Sequence, residues 1–241
     1  MTSIASSSSS SSSSIHQQIT FPSTPPNIFI VGDIHGCYDE LIMLINKLQS
    51  EYPNDNVIDN LYHVGDLVNK GPASIKVISF CNKYKIKGVL GNHDLSMLSH
   101  VDKLSVSPSY EIPPKYEYIK SLSQSDIAYM KSLPLSIHFP ELNVVIIHAG
   151  FIPDIPFLDQ SDPEILTKIR YVFPSEDKPI NNNSKKKLVP LETNLLQTIT
   201  KVVTNVGFIL QLNQSSFILF VSITTTIRYI LLLSPNSDGL Y

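Results

Sequence analysis

Short apolar runs alternate with helix-length amphipathic stretches over the first two-fifths of the chain. "NIFIVGD" (27–33) is a β-branched apolar run that stops at Gly-Asp, the pattern of a buried strand. "CYDELIMLINKLQSEY" (37–52) follows with Leu41, Leu44, Ile45 and Leu48 at helical spacing. "NLYHVGD" (60–66) is a second apolar run ending at Gly-Asp, and "PASIKVISFCNKY" (72–84) a second helix with Pro72 in its first turn. "KIKGVLGNHD" (85–94) repeats the run a third time and leads into helix-forming text.

Three repeats of strand, polar turn and helix predict a parallel sheet covered by helices. Further on, "SQSDIAYMKSLP" (123–134) reads as a helix with Ser123 and Asp126 as its capping pair. "LSIHF" and "NVVIIHAGF", separated by Pro140-Glu141-Leu142, predict a hairpin. "SDPEILTKIRYV" (161–172) predicts a helix opened by Pro163, and "NNNSKKK" (181–187) a solvated loop.

Composition divides the chain. Residues 1–27 carry no Asp, Glu, Lys or Arg and include the serine run Ser6–Ser14, so disorder is expected there. Residues 28–175 read as the folded core. Residues 176–241 form an atypical tail, in which 202–227 carry no charge and 206–233 are strongly apolar. That stretch is long enough to cross a bilayer, but Asn205, Gln211, Asn213 and Gln214 interrupt it and its β-branched residues suit strands better. A net charge of −3 gives no electrostatic case for nucleic acid. Two cysteines, Cys37 and Cys81, and no secretory or mitochondrial leader suit the cytoplasm. No partner protein can be inferred.

All the polar clusters fall at the carboxyl ends of strand-like runs, where open α/β sheets place their sites. Gly32-Asp33-Ile34-His35-Gly36, Gly65-Asp66, Gly91-Asn92-His93-Asp94 and His148-Ala149-Gly150 supply carboxylate, imidazole and amide groups. That oxygen and nitrogen set without thiolate suits Mn, Fe or Zn. Asp33 and His35 are two apart, so an extended segment would aim both to one side. Asp66 is able to bridge two ions, with Asn92 and His148 on the second. Two such ions would clamp a phosphoryl group and activate a hydroxide for in-line attack.

"GDIHG", "GDLVNKGP", "GNHD" and "HAG" resemble the signature blocks of the calcineurin-like metallophosphoesterases. "GDIHGCYDEL", "GDLVNKGP" and "VLGNHD" look like its ApaH-like branch, named for symmetrical bis(5′-nucleosyl)-tetraphosphatases and related to the Ser/Thr phosphoprotein phosphatases. The resemblance implies a four-layer α/β/β/α sandwich, truncated toward its C-terminus. It implies two divalent metal ions, the first held by Asp33, His35 and Asp66 and the second by Asp66, Asn92 and His148. His93 would be the general acid, Asp94 would support its loop, and Arg170 would contact phosphate. Where the phosphoprotein phosphatases carry Asp and Arg, this chain has Asn69 and Lys70. Asn69 hydrogen-bonds an imidazole without stabilising its cation, as in the ApaH-like branch. Lys70 keeps the charge but not the bidentate fork.

The implied activity is hydrolysis of phosphoanhydrides: dinucleoside polyphosphates, polyphosphate or nucleotide caps. A phosphoprotein substrate is the alternative. So is a non-catalytic relative, because the family's further downstream histidine has no counterpart after His148.

Overall fold

A computed structural model of the chain describes residues 15–142, 144–152, 155–169, 201–203 and 230–233. Its strands are β1 (His16–Gln18), β2 (Ile28–Val31), β3 (Leu61–His63), β4 (Lys87–Gly88), β5 (Ser136–Phe139), β6 (Val144–Ile147), β7 (Lys201–Val203) and β8 (Ile230–Leu233). Its α-helices are α1 (Tyr38–Glu51), α2 (Ser74–Tyr84), α3 (Asn92–Val106), α4 (Gln124–Ser132) and α5 (Pro163–Lys168). A 3₁₀ helix spans Pro114–Ser121.

Two four-stranded sheets result, in the orders β4-β3-β2-β8 and β1-β5-β6-β7. The three repeats build the first sheet as predicted: β2, β3 and β4 run parallel, with Val31 opposite His63 and His63 opposite Gly88. All four residues of β2 are buried, because each of its faces has a partner. Ile28 and Ile30, with Tyr62 and Val64, meet Ile137, Phe139, Val144 and Ile146 of the second sheet. The Tyr62 and Phe139 rings cross that interface edge to face, 5.1 Å between centroids. Phe29 and Val31 point the other way, into the larger cluster with Leu41, Leu44 and Leu48 of α1 and Val77 and Ile78 of α2. This is the expected sandwich of sheets with helices outside them.

Several expectations need correction. His16–Gln18 falls in the stretch read as disordered, yet it pairs parallel to β5, with His16 opposite Ser136. There the backbone finds a sheet edge, and His16 Nδ1 lies 2.7 Å from Ser136 Oγ; composition alone does not register such a partner. Pro72 precedes α2 rather than opening it. The third strand is only two residues long, and "NHD" is the first turn of α3 rather than a loop. Ser123 Oγ does accept the Asp126 N–H at the start of α4. Within 206–233 the described segment, Ile230–Leu233, is a strand antiparallel to β2. Among the described residues no helix is long and apolar enough to cross a membrane. Arg170 and the 181–187 loop lie outside the described residues.

Candidate metal centre

Four loops leave the carboxyl ends of β2, β3, β4 and β6 and converge on Asp66. Its Oδ2 lies 3.5 Å from His35 Nε2 and 4.0 Å from His93 Nε2, and its Oδ1 lies 3.6 Å from His148 Nε2. Asp33 Oδ2 is 3.5 Å from His35 Nε2. Asn92 Oδ1 is 3.1 Å from His148 Nε2. All five predicted ligands therefore meet in one place, with His35, Asp66 and His148 buried.

The backbone makes this convergence possible at some cost. His35, Asp66, Asn69 and Lys70 all take left-handed φ values of 47° to 68°. His35 faces Asp33 because of that turn, not because the segment is extended. Gly91 has ordinary φ, but a Cβ there would sit 2.2 Å from Asp66 Oδ1 and 2.4 Å from Asp66 N. Only glycine lets α3 begin this close to the central carboxylate.

Each central histidine is oriented from behind. His35 Nδ1 donates to the Val68 carbonyl at 2.9 Å, and His148 Nδ1 to the Val64 carbonyl at 2.7 Å. Both rings then turn Nε2 toward the carboxylates, the tautomer a metal ligand needs. These two carbonyls, on the strand-end segment around Asp66, were invisible as site groups in the sequence, because any residue supplies one. Burial alone would lower the His35 pKa, but the hydrogen bond to Asp33, the Val68 carbonyl and the Asp66 charge together raise it. Lys70 Nζ comes within 2.6 Å of His35 Nε2. The lysine thus places its ammonium beside His35 at the centre.

Asp94 is fully buried. Its oxygens accept the Leu67 N–H at 2.9 Å and the Gly91 N–H at 3.0 Å, tying the β3 and β4 loops together. Burial first, and Asp66 second, push its pKa up to about 8. Asp94 is thus a loop clamp and makes no direct approach to the centre. His93 is half-exposed at the rim; its Nδ1 faces Asn69 Nδ2 at 3.1 Å. Burial lowers its pKa, and His35, Lys70 and Lys115 lower it further against the pull of Asp66.

The donor set fits divalent cations. His35, Asp66 and His93 form one group of ligand atoms within 4.8 Å of one another, and Asp33, Asp66 and His148 a second. Asp33 Oδ1 is buried and has no hydrogen-bond partner among the described residues. A buried carboxylate oxygen in that state calls for a cation.

A family model, the calcineurin-like phosphoesterases, matches residues 26–196. The chain belongs to this family. Among curated proteins, the symmetrical bis(5′-nucleosyl)-tetraphosphatase of Pasteurella multocida is 35% identical over 134 residues, covering 52% of this chain and 45% of that protein. The enzyme of the same name from Coxiella burnetii is 36% identical over 138 residues, covering 54% of this chain and 43% of that protein. The chain therefore spans about half the length of the curated relatives it matches. A crystal structure of a candidate diadenosine tetraphosphatase superposes with a TM-score of 0.50 at 34% identity, covering 62% of each chain. The ApaH-like resemblance read from the motifs is the one that these relatives share.

Proposed function

We propose that this chain is a divalent-metal-dependent phosphohydrolase that cleaves phosphoanhydrides, with dinucleoside polyphosphates as its substrate class. The observation that carries this reading is the single meeting point of Asp33, His35, Asp66, Asn92 and His148 around a bridging carboxylate. Asp33, His35 and Asp66 would hold one ion, and Asp66, Asn92 and His148 the other. Two ions so held supply water activation and charge neutralisation at phosphorus. Manganese suits this donor set, as iron and zinc do.

The chain's own groups handle the leaving side. Water attacks phosphorus, the bridging P–O bond breaks, and a nucleoside diphosphate departs. His93, whose Nε2 lies 4.0 Å from Asp66, would stand on that side and give the departing oxygen a hydrogen bond through Nε2–H. Asn69 behind it cannot stabilise an imidazolium as a carboxylate would. A diphosphate leaves as a stable anion and needs little protonation; a seryl oxygen needs a full proton. Asn69 thus favours the anhydride over the phosphoprotein reading. The relatives named as tetraphosphatases support the same choice. Buried thiols at Cys37 and Cys81 accord with a cytoplasmic enzyme.

The test uses the full chain with Mn²⁺ and diadenosine tetraphosphate. Release of ADP, abolished in Asp66→Asn and reduced roughly tenfold in His93→Ala, supports the proposal. No turnover of any phosphoanhydride, with no more than one ion bound per chain, would leave the non-catalytic reading standing.

A further inference from the structure

Resting on that reading, we propose that Tyr118 is a positioning residue: through Asn69 it holds His93 in the tautomer whose proton sits on Nε2, toward Asp66. Tyr118 belongs to none of the four motif blocks. It lies in the 3₁₀ helix Pro114–Ser121, where residues three apart share an edge. Tyr116 and Ile119 form the buried edge, and Tyr116 anchors it through a 2.7 Å hydrogen bond between its hydroxyl and Ser96 Oγ. Lys115 and Tyr118 share the neighbouring edge, and the Tyr118 hydroxyl reaches Asn69 Oδ1 at 3.1 Å.

The direction of this chain of hydrogen bonds follows from counting protons. Ser74 Oγ accepts the Asn69 backbone N–H at 3.0 Å, which fixes the turn that carries Asn69. The tyrosine proton goes to Asn69 Oδ1 at 3.1 Å. The Asn69 amide nitrogen is then the atom facing His93, and it donates to Nδ1 at 3.1 Å. With Nδ1 accepting, the ring proton belongs on Nε2, 4.0 Å from the Asp66 carboxylate. The reversed amide would turn its Oδ1 to the ring and leave Nδ1 as the donor. It would also turn the Nε2 lone pair toward Asp66. Burial raises the Tyr118 pKa, so its hydroxyl stays a donor.

Long-range ¹H–¹⁵N NMR of the metal-free full chain at mildly alkaline pH reads the tautomer directly, with His93→Ala assigning the resonance. The wild type should show Nε2–H. Tyr118→Phe keeps the ring and removes the donor, so the Nδ1–H form should become populated. On diadenosine tetraphosphate the same variant should lose roughly fivefold in kcat at unchanged KM, the worth of one hydrogen bond. Asn69→Gly suits the left-handed backbone and should give the same mixture, with no further change on adding Tyr118→Phe. An unchanged tautomer in Tyr118→Phe, or an effect confined to KM, overturns the proposal. The NMR measurement needs neither metal nor turnover. If the wild type hydrolyses nothing, the functional reading fails while the tautomer still decides this one.

Discussion

Acid should destabilise this fold through one residue that sits just behind the metal centre. His63 is fully buried in β3, and both ring nitrogens are committed. Nδ1 accepts the Gly65 N–H at 3.3 Å, and Nε2 lies 3.3 Å from the Tyr129 hydroxyl, which itself donates to the Ile86 carbonyl at 2.8 Å. A second ring proton would face the Gly65 N–H, donor against donor. Burial pushes the pKa from 6.5 down to about 3. Below pH 6.5 the unfolded chain takes up a proton that the folded chain refuses. The stability contribution is therefore whole above 6.5 and is lost as pH falls toward 3. At about 1.36 kcal/mol per pH unit, the loss is about 2 kcal/mol at pH 5 and about 4 kcal/mol at pH 3, where the folded ring is itself half protonated. Asp94, held up to about 8, pulls the opposite way between its ordinary carboxylate range and pH 8. The informative quantity is hence the difference between two proteins at each pH. Urea unfolding of wild type and His63→Leu, followed by circular dichroism at pH 7.5 and 5, measures it. The variant loses the Gly65 hydrogen bond at both pH values, a constant offset. Relative to wild type it should gain about 2 kcal/mol on going to pH 5. An equal pH response in the two proteins would refute the argument.

Gly91→Ala should push Asp66 out of place, since the new Cβ would lie 2.2 Å from its Oδ1. Calorimetric titration with Mn²⁺ should show weakened binding, with a stability loss of about 1–3 kcal/mol; normal metal binding at unchanged Tm would contradict this. A chain beginning at residue 20 lacks β1 and with it the His16 contacts to Ser136 and to the Gln160 carbonyl. Its Tm should fall by about 3–6 °C, while a chain beginning at residue 15 keeps the wild-type value; equal melting of the two would remove β1 from the fold.

Hydrophobic spacing gave away most of the architecture because it is local. Leu41, Leu44, Ile45 and Leu48 face the core from α1 as their spacing requires, and the runs around Phe29 and Tyr62 become neighbouring parallel strands. The site was legible for a second reason. Parallel strands deliver their polar ends to one side, so Asp33, Asp66 and Asn92 are gathered by topology before any side chain is placed, while His148 arrives from β6 of the facing sheet. What escaped was non-local or generic. Tyr118 meets Asn69 across 49 positions from text with no motif. The carbonyls of Val64 and Val68 orient the histidines as backbone groups. Lys70 sits in a left-handed turn and brings its Nζ to His35, a contact that sequence spacing does not express.

That left-handed cluster bears on how the protein would respond to selection. Of the five described non-glycine residues with positive φ, only Lys85, at the end of α2, is remote from the centre. Relaxing the other four to glycine would free on the order of 1 kcal/mol each in the backbone. Each relaxation would also delete a side chain that meets at Asp66 or holds His93. A library screened for heat resistance would therefore drift toward glycine at His35, Asp66, Asn69 and Lys70, and report as improvement the dismantling of its own chemistry.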